Sequence, residues 1–204
     1  MMKTNRIFAK MFLAAGLTAV SSSCVAATQA DSSDAVLNNI ATRASVRQFT
    51  NQPISQATLD TIVRAGMAAP SAVNKQPWAF VVITERGVLD SLQRVHPHAN
   101  LKTATAAVVV CGDMEKALEG AAREYWVQDC SAATENILLA AHALGIGAVW
   151  CGVHPDPKRV GEVSRALGLP TSVVPLNIIT MGYPAAQPQP KDKWKPGNVH
   201  YQRW

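Results

Sequence analysis

Apolar positions along the chain follow two spacings, and each change of spacing marks a new element. Val36, Leu37 and Ile40 stand at helical spacing and predict a short helix over residues 35–43. After Pro53, Ser55 precedes a second run of that spacing through Leu59, Ile62, Val63 and Met67. A serine there can satisfy free first-turn N–H groups, so it predicts a helix start, with the stop near Ala69 and Pro70. Residues 79–84 (AFVVIT) and 105–112 (TAAVVVCG) are short, apolar and valine-rich, as buried strands are. Residues 147–153 (GAVWCGV) and 173–181 (VVPLNIITM) predict two more strands. Between them a short helix over 155–167 is closed by Gly168 and Pro170. The longest helical pattern is 125–144, where Ala132, Ala133, Ile137, Leu138, Leu139, Ala140, Ala141 and Leu144 leave little polar face. Such a helix is expected to be buried nearly all round, which predicts a core completed by a second subunit.

The two ends break the pattern. Residues 28–34 are small and polar and read as a linker. From residue 184 onward, Pro184, Pro188, Pro190 and Pro196 rule out a compact helix, yet Trp194, Tyr201 and Trp204 need cover. Residues 184–204 are therefore expected to form an extended arm laid across a surface.

Composition changes the picture at the N-terminus. The 204 residues are 48% hydrophobic and 16% charged, enough for one well-buried domain and short for two. The net charge of +5 suggests an acidic partner at first, but Lys3, Arg6 and Lys10 all lie in the first ten positions and every acidic residue lies after position 30. Beyond that basic start the chain carries 16 basic and 14 acidic residues, and nothing points to nucleic acid. The basic start, the apolar run 11–20 and the small residues 21–27 form a secretory signal over 1–27. The apolar run falls short of the roughly 20 residues that span a bilayer. Cleavage is expected after Ala26, Ala27 or Ala30, with a periplasmic destination. Cys24 offers lipid attachment as the alternative, although Ser21 suits it poorly, and only that would bring the protein to a membrane. With no twin-arginine pair before the apolar run, the chain is expected to cross unfolded and acquire any cofactor afterwards. Cys111, Cys130 and Cys151 have no C-x-x-C spacing, so neither a metal site nor a dithiol pair is indicated.

Two clusters could carry chemistry. In the run RASVR, Arg43, Ser45 and Arg47 share one side of an extended segment, so two guanidinium forks and a hydroxyl converge. That set suits phosphate oxygens, and a solvated surface patch is the alternative. In APSAVNKQPW (69–78), prolines bracket small and amide residues just before a buried strand. Such a loop presents fixed hydrogen-bonding groups to a planar heterocycle, or simply joins a helix to a strand.

RASVRQF, then APSAVNKQPWAFVVI, then DCSAATENILLAAHALGIGAVWCGV, in that order, resemble the nitroreductase family of FMN enzymes, and the resemblance covers residues 35–204. It implies an α+β sandwich around a mainly antiparallel sheet with helices on both faces. It also implies an intertwined homodimer whose C-terminal arms cross over, with two flavin sites at the interface. Arg43, Ser45 and Arg47 would hold the FMN phosphate and neighbouring polar groups. Pro70, Ser71 and Ala72 would pass along the flavin ring from the other subunit, with Asn74 in the same loop. Trp150, Cys151 and Gly152 would line the opposite ring face, with the Gly152 amide near the reactive nitrogen N5. Lys191 and Lys193 would complete the phosphate site, with Lys195 and Arg203 as competitors. Lys102, in the segment 96–102, would stand over the pyrimidine edge.

The implied activity is electron transfer from NAD(P)H to nitroaromatics, quinones or similar small acceptors by a ping-pong cycle. The flavin carries the hydride chemistry, so no protein acid or base is expected to be essential. The alternative is an exported flavin-binding electron-transfer or scavenging protein without small-molecule turnover. His142 reads as a satisfied core histidine, Glu135 and Asn136 as buried partners across a dimer, and Asp113, Glu115 and Glu119 as solvated helix charges.

Overall fold

Residues 32–204 are described by a computed structural model; the expected leader, with Cys24, lies outside them. Helix α1 occupies 32–42, so Ser32, Ser33 and Asp34, read as the end of a linker, are already helical. Helix α2 (Gln56–Met67) starts where Ser55 predicts, with the Ser55 side chain accepting from the Thr58 amide. Four strands follow the predicted runs: β1 (Trp78–Ile83), β2 (Ala106–Asp113), β3 (Gly147–Gly152) and β4 (Val173–Gly182). They form one sheet in the order β1-β2-β4-β3, antiparallel throughout. The register shifts where Cys111 comes to face Pro175, because proline has no N–H to add to the ladder.

Helices cover both faces, as expected. Along β2, Ala106, Val108 and Val110 pack with Leu59, Ile62 and Val63 of α2 and with helix α4 (Tyr125–Ala143). Ala107, Val109 and Cys111 turn the other way. They meet Leu89 and Leu92 of α3 (Arg86–Val95) and Val163 of α5 (Pro157–Leu167). This strict alternation explains why β2 is apolar at nearly every position.

Helix α3 is an addition to the sequence reading. Its Val88, Leu89, Leu92 and Val95 had helical spacing, but Glu85 makes no side-chain cap and Gly87 sits in the first turn. Helix α4 is buried in part within the single chain. Its stripe Trp126, Asp129, Cys130, Ala133, Thr134, Ile137, Leu138 and Ala141 is buried, whereas Gln128, Glu135, Ala143 and Leu144 are exposed in the single chain. The arm is extended beyond Pro184, apart from one short 3-10 turn, and its Trp194, Tyr201 and Trp204 stand exposed.

Gly112 marks the tightest contact between the sheet and α4. A Cβ there would run into the Trp126 indole and the Met114 side chain. Gly112→Val is therefore expected to destabilise the fold by about 1–3 kcal/mol through overpacking, read from denaturant midpoints.

Candidate functional site

After α1 the chain runs extended beside β3. The Val46 amide donates to Ala148 O at 3.0 Å, and Ser45 forms a parallel bridge with Ala148. Val46 turns into the core, which leaves Ser45 and Arg47 facing out. A cavity of about 230 Å³ opens here, lined by Arg43, Ala44, Ser45, Arg47, Gln189, Lys191 and Lys193. The structure thus brings together five residues singled out from sequence, and Lys195 and Arg203 do not line the cavity. Arg43 Nε meets Glu135 at 3.2 Å, while Arg47 Nη1 donates to its neighbour Ser45 O at 3.5 Å. Four cations, one of them paired with Glu135, surround a cavity whose own lining holds no carboxylate, and their mutual repulsion is relieved when an anion enters beside the Ser45 hydroxyl.

The loop carrying Pro70, Ser71, Ala72 and Asn74 lines a different part of the molecule. It attaches to α4 at Asp129, whose Oδ1 accepts from the Ala72 amide at 2.8 Å. Arg43 meets the same helix at Glu135, six residues or about 9 Å further along its axis. Within the loop, Val73, Asn74 and Gln76 have φ of 42°, 57° and 50°, in the left-handed region. The Gln76 amide donates to Ser71 Oγ at 2.9 Å, and its side chain donates to Asn74 Oδ1 at 2.9 Å.

On β3 the strand's alternation separates the three expected residues. Trp150, 37% exposed, and Gly152 face out, while Cys151 points into the core. A Cβ at Gly152 would meet nothing within 4 Å, so the fold itself leaves open space there. The Cys151 thiol donates to Ala99 O at 3.4 Å and accepts from Asn100 Nδ2 at 3.7 Å. Burial pushes that thiol up, which suits a packing role rather than a nucleophile. Lys102 lines a separate cavity with Phe49, Arg86 and Thr105, away from Arg47.

His96 was not singled out from sequence. Buried beside β3, it donates from Nε2 to Gly152 O at 2.9 Å, which Arg159 Nη1 also reaches at 3.4 Å. Nδ1 is buried without a partner among the described residues. Burial holds His96 below its ordinary value of 6.5, outweighing the opposite pull of the Gly152 bond, and Arg159 adds to the lowering. The unfolded chain therefore takes up the proton more readily. The associated stability is present above the unfolded value and is lost as pH falls through it toward the lower folded value. Unfolding midpoints are expected to drop from about pH 8 to about pH 5, and less steeply in His96→Gln.

Three further expectations meet the structure. His142 bonds the Thr42 hydroxyl at 3.0 Å and is held low by burial and by Arg43, as a satisfied histidine is. Within the single chain Glu135 pairs with Arg43 and Asn136 donates to Ala65 O. Asp113 ends β2 and pairs with Lys116, Glu115 lies in the following turn, and Glu119 precedes the 3-10 helix 120–124, so none of the three lies within an α-helix. Asp129 escaped the sequence reading although its spacing from Trp126 and Ala133 placed a carboxylate on the buried stripe.

Comparison with known proteins agrees with this architecture. The sequence pattern of the Nitroreductase family matches residues 40–100 and 89–183. A Methanothermobacter thermautotrophicus protein provisionally named NADH dehydrogenase/NAD(P)H nitroreductase is 42% identical over 172 residues, covering 83% of this chain and 87% of the relative. A solved structure from Bacteroides thetaiotaomicron with the same provisional name is 42% identical, with a TM-score of 0.79 over 83% of this chain and 98% of its own. A provisionally named nitroreductase from Desulfovibrio desulfuricans, solved in complex with FMN, is 28% identical, with a TM-score of 0.71 over 83% and 97% of the two chains. The sheet order, the helices on both faces and these matches together make the chain a member of the Nitroreductase family.

Proposed function

We propose that this chain is an FMN-dependent oxidoreductase that takes electrons from NAD(P)H and passes them to small acceptors such as nitroaromatics or quinones. The observation that carries this reading is the cavity where Arg43, Ser45, Arg47, Lys191 and Lys193 converge without a lining carboxylate. Its guanidinium, ammonium and hydroxyl donors are of the kinds that bind a phosphate dianion. The Desulfovibrio relative solved with FMN points to which phosphate ester that is. Bound FMN would supply hydride acceptance and release at its ring.

The chain's own residues would do the rest. The two guanidinium groups and two ammonium groups hold the phosphate end. Trp150 and Gly152 offer an open strand face on which a planar ring can lie, because nothing fills the space above Gly152. The Pro70–Ser71–Ala72 loop would reach the ring from a second subunit. The exposed residues of α4 and the uncovered arm aromatics Trp194, Tyr201 and Trp204 support that homodimer. No side chain is assigned an essential proton in the hydride step. Donor and acceptor would visit one open face in turn, which is a ping-pong cycle.

The leader pattern over 1–27 supports export to the periplasm, or lipid anchoring at Cys24. Free NAD(P)H is scarce there, and this favours one rival: an exported flavin protein reduced by another protein, without small-molecule turnover. Steady-state oxidation of NADH and NADPH with a quinone or nitroaromatic acceptor separates the two. Turnover with FMN bound supports the enzyme. Its absence, with reduction by a protein donor, supports the carrier, and failure to take up added FMN overturns both.

A further inference from the structure

We propose that Asp129 is a positioning residue that sets the 71–76 loop for cofactor binding; this rests on the reading that the loop lies along FMN. Asp129 is 6% exposed, and its Oδ1 accepts from the Ala72 amide at 2.8 Å. No cation pairs with it among the described residues, so the helix buries a carboxylate whose recorded partner is the loop backbone. The loop requires such a tether. Three of its non-glycine residues hold left-handed φ, including the β-branched Val73, and Val73 is 79% exposed in the single chain, so packing within the chain does not hold it there. The Gln76 amide bond to Ser71 Oγ braces the loop only against itself. Asp129 is thus the described side-chain tether from the loop to the rigid helix.

Fluorescence titration with FMN tests this on the full chain. Asp129→Leu removes the acceptor while keeping the branched heavy-atom skeleton and is expected to weaken FMN binding about tenfold, the worth of a lost hydrogen bond to a charged group. Asp129→Asn keeps the acceptor oxygen and is expected to stay within about threefold of wild type. Val73→Gly added to Asp129→Leu relieves the left-handed strain and is expected to recover most of the loss. A purely structural Asp129 would not respond to that second substitution. If the leucine variant does not fold, Asp129→Ala takes its place with the same expectations. Wild-type affinity in the variant that lacks the acceptor overturns the proposal, as does a loss that neither Asp129→Asn nor Val73→Gly mitigates. Tryptic cleavage after Lys75 reads the loop without FMN and should quicken when the acceptor is removed; an unchanged rate also overturns the proposal. If wild-type protein binds no FMN while the variant without the acceptor still shows this quickening, the cofactor reading is contradicted and the tether stands.

Discussion

A chain carrying both Arg43→Ala and Arg47→Ala is expected to emerge from purification colourless, with FMN affinity lowered by about 10²–10⁴-fold. Each guanidinium would contribute about 1.5–3 kcal/mol as a charge-assisted bond to the phosphate, and both line the same cavity. The two single variants should differ. Removing Arg43 also strips Glu135 of its ion-pair partner 3.2 Å away and leaves an uncompensated carboxylate near the cavity. Arg43→Ala should therefore cost more than Arg47→Ala, and Glu135→Gln should return part of the difference. Raising the salt concentration should weaken wild-type binding, because the cavity is open to solvent at Lys191 and Lys193, which are exposed. A double variant that holds FMN as wild type does would refute the phosphate assignment.

Gly152→Val is the second large effect, and it contrasts with Gly112. At Gly112 a side chain collides with Trp126, whereas at Gly152 it meets nothing within 4 Å. Gly152 ends a strand, where valine is well accommodated, so the unfolding midpoint should stay near wild type. If a flavin ring lies on that face, the isopropyl group occupies the same space. Binding should weaken about ten- to hundredfold, the usual cost of overpacking a close contact. The loss should appear in FMN titrations and in turnover while far-UV circular dichroism stays unchanged. Unchanged FMN affinity would move the ring off Gly152.

The parts legible in the sequence are those with a local physical cause. Ser55 caps α2 through its own side chain, and the valine run of β2 reflects burial on both faces, so each element could be read from its own residues. The arginine run was legible for the same reason, because Arg43, Ser45 and Arg47 lie within five positions. Helix α3 was missed because its start lacks a side-chain cap. Asp129 and His96 were missed because their partners, Ala72 and Gly152, lie 57 and 56 positions away. Cys151 shows the converse. Its neighbours Trp150 and Gly152 face out, but strand alternation turns its thiol into the core, a separation that reading the three as one motif overlooks.

Exposure of α4 in the single chain has the same origin. The helix was apolar enough to predict burial all round, and the fold buries one stripe of it. In the proposed homodimer, the uncovered remainder and the aromatic arm would form the surface that a second copy covers.

The most direct test of the central claim is to add NADH, then NADPH, to the purified FMN-loaded protein under strict anaerobic conditions and follow the visible flavin absorbance. Bleaching by at least one nucleotide, with colour restored by a quinone or nitroaromatic, is the predicted result. Bound FMN that stays yellow with both nucleotides would contradict the account.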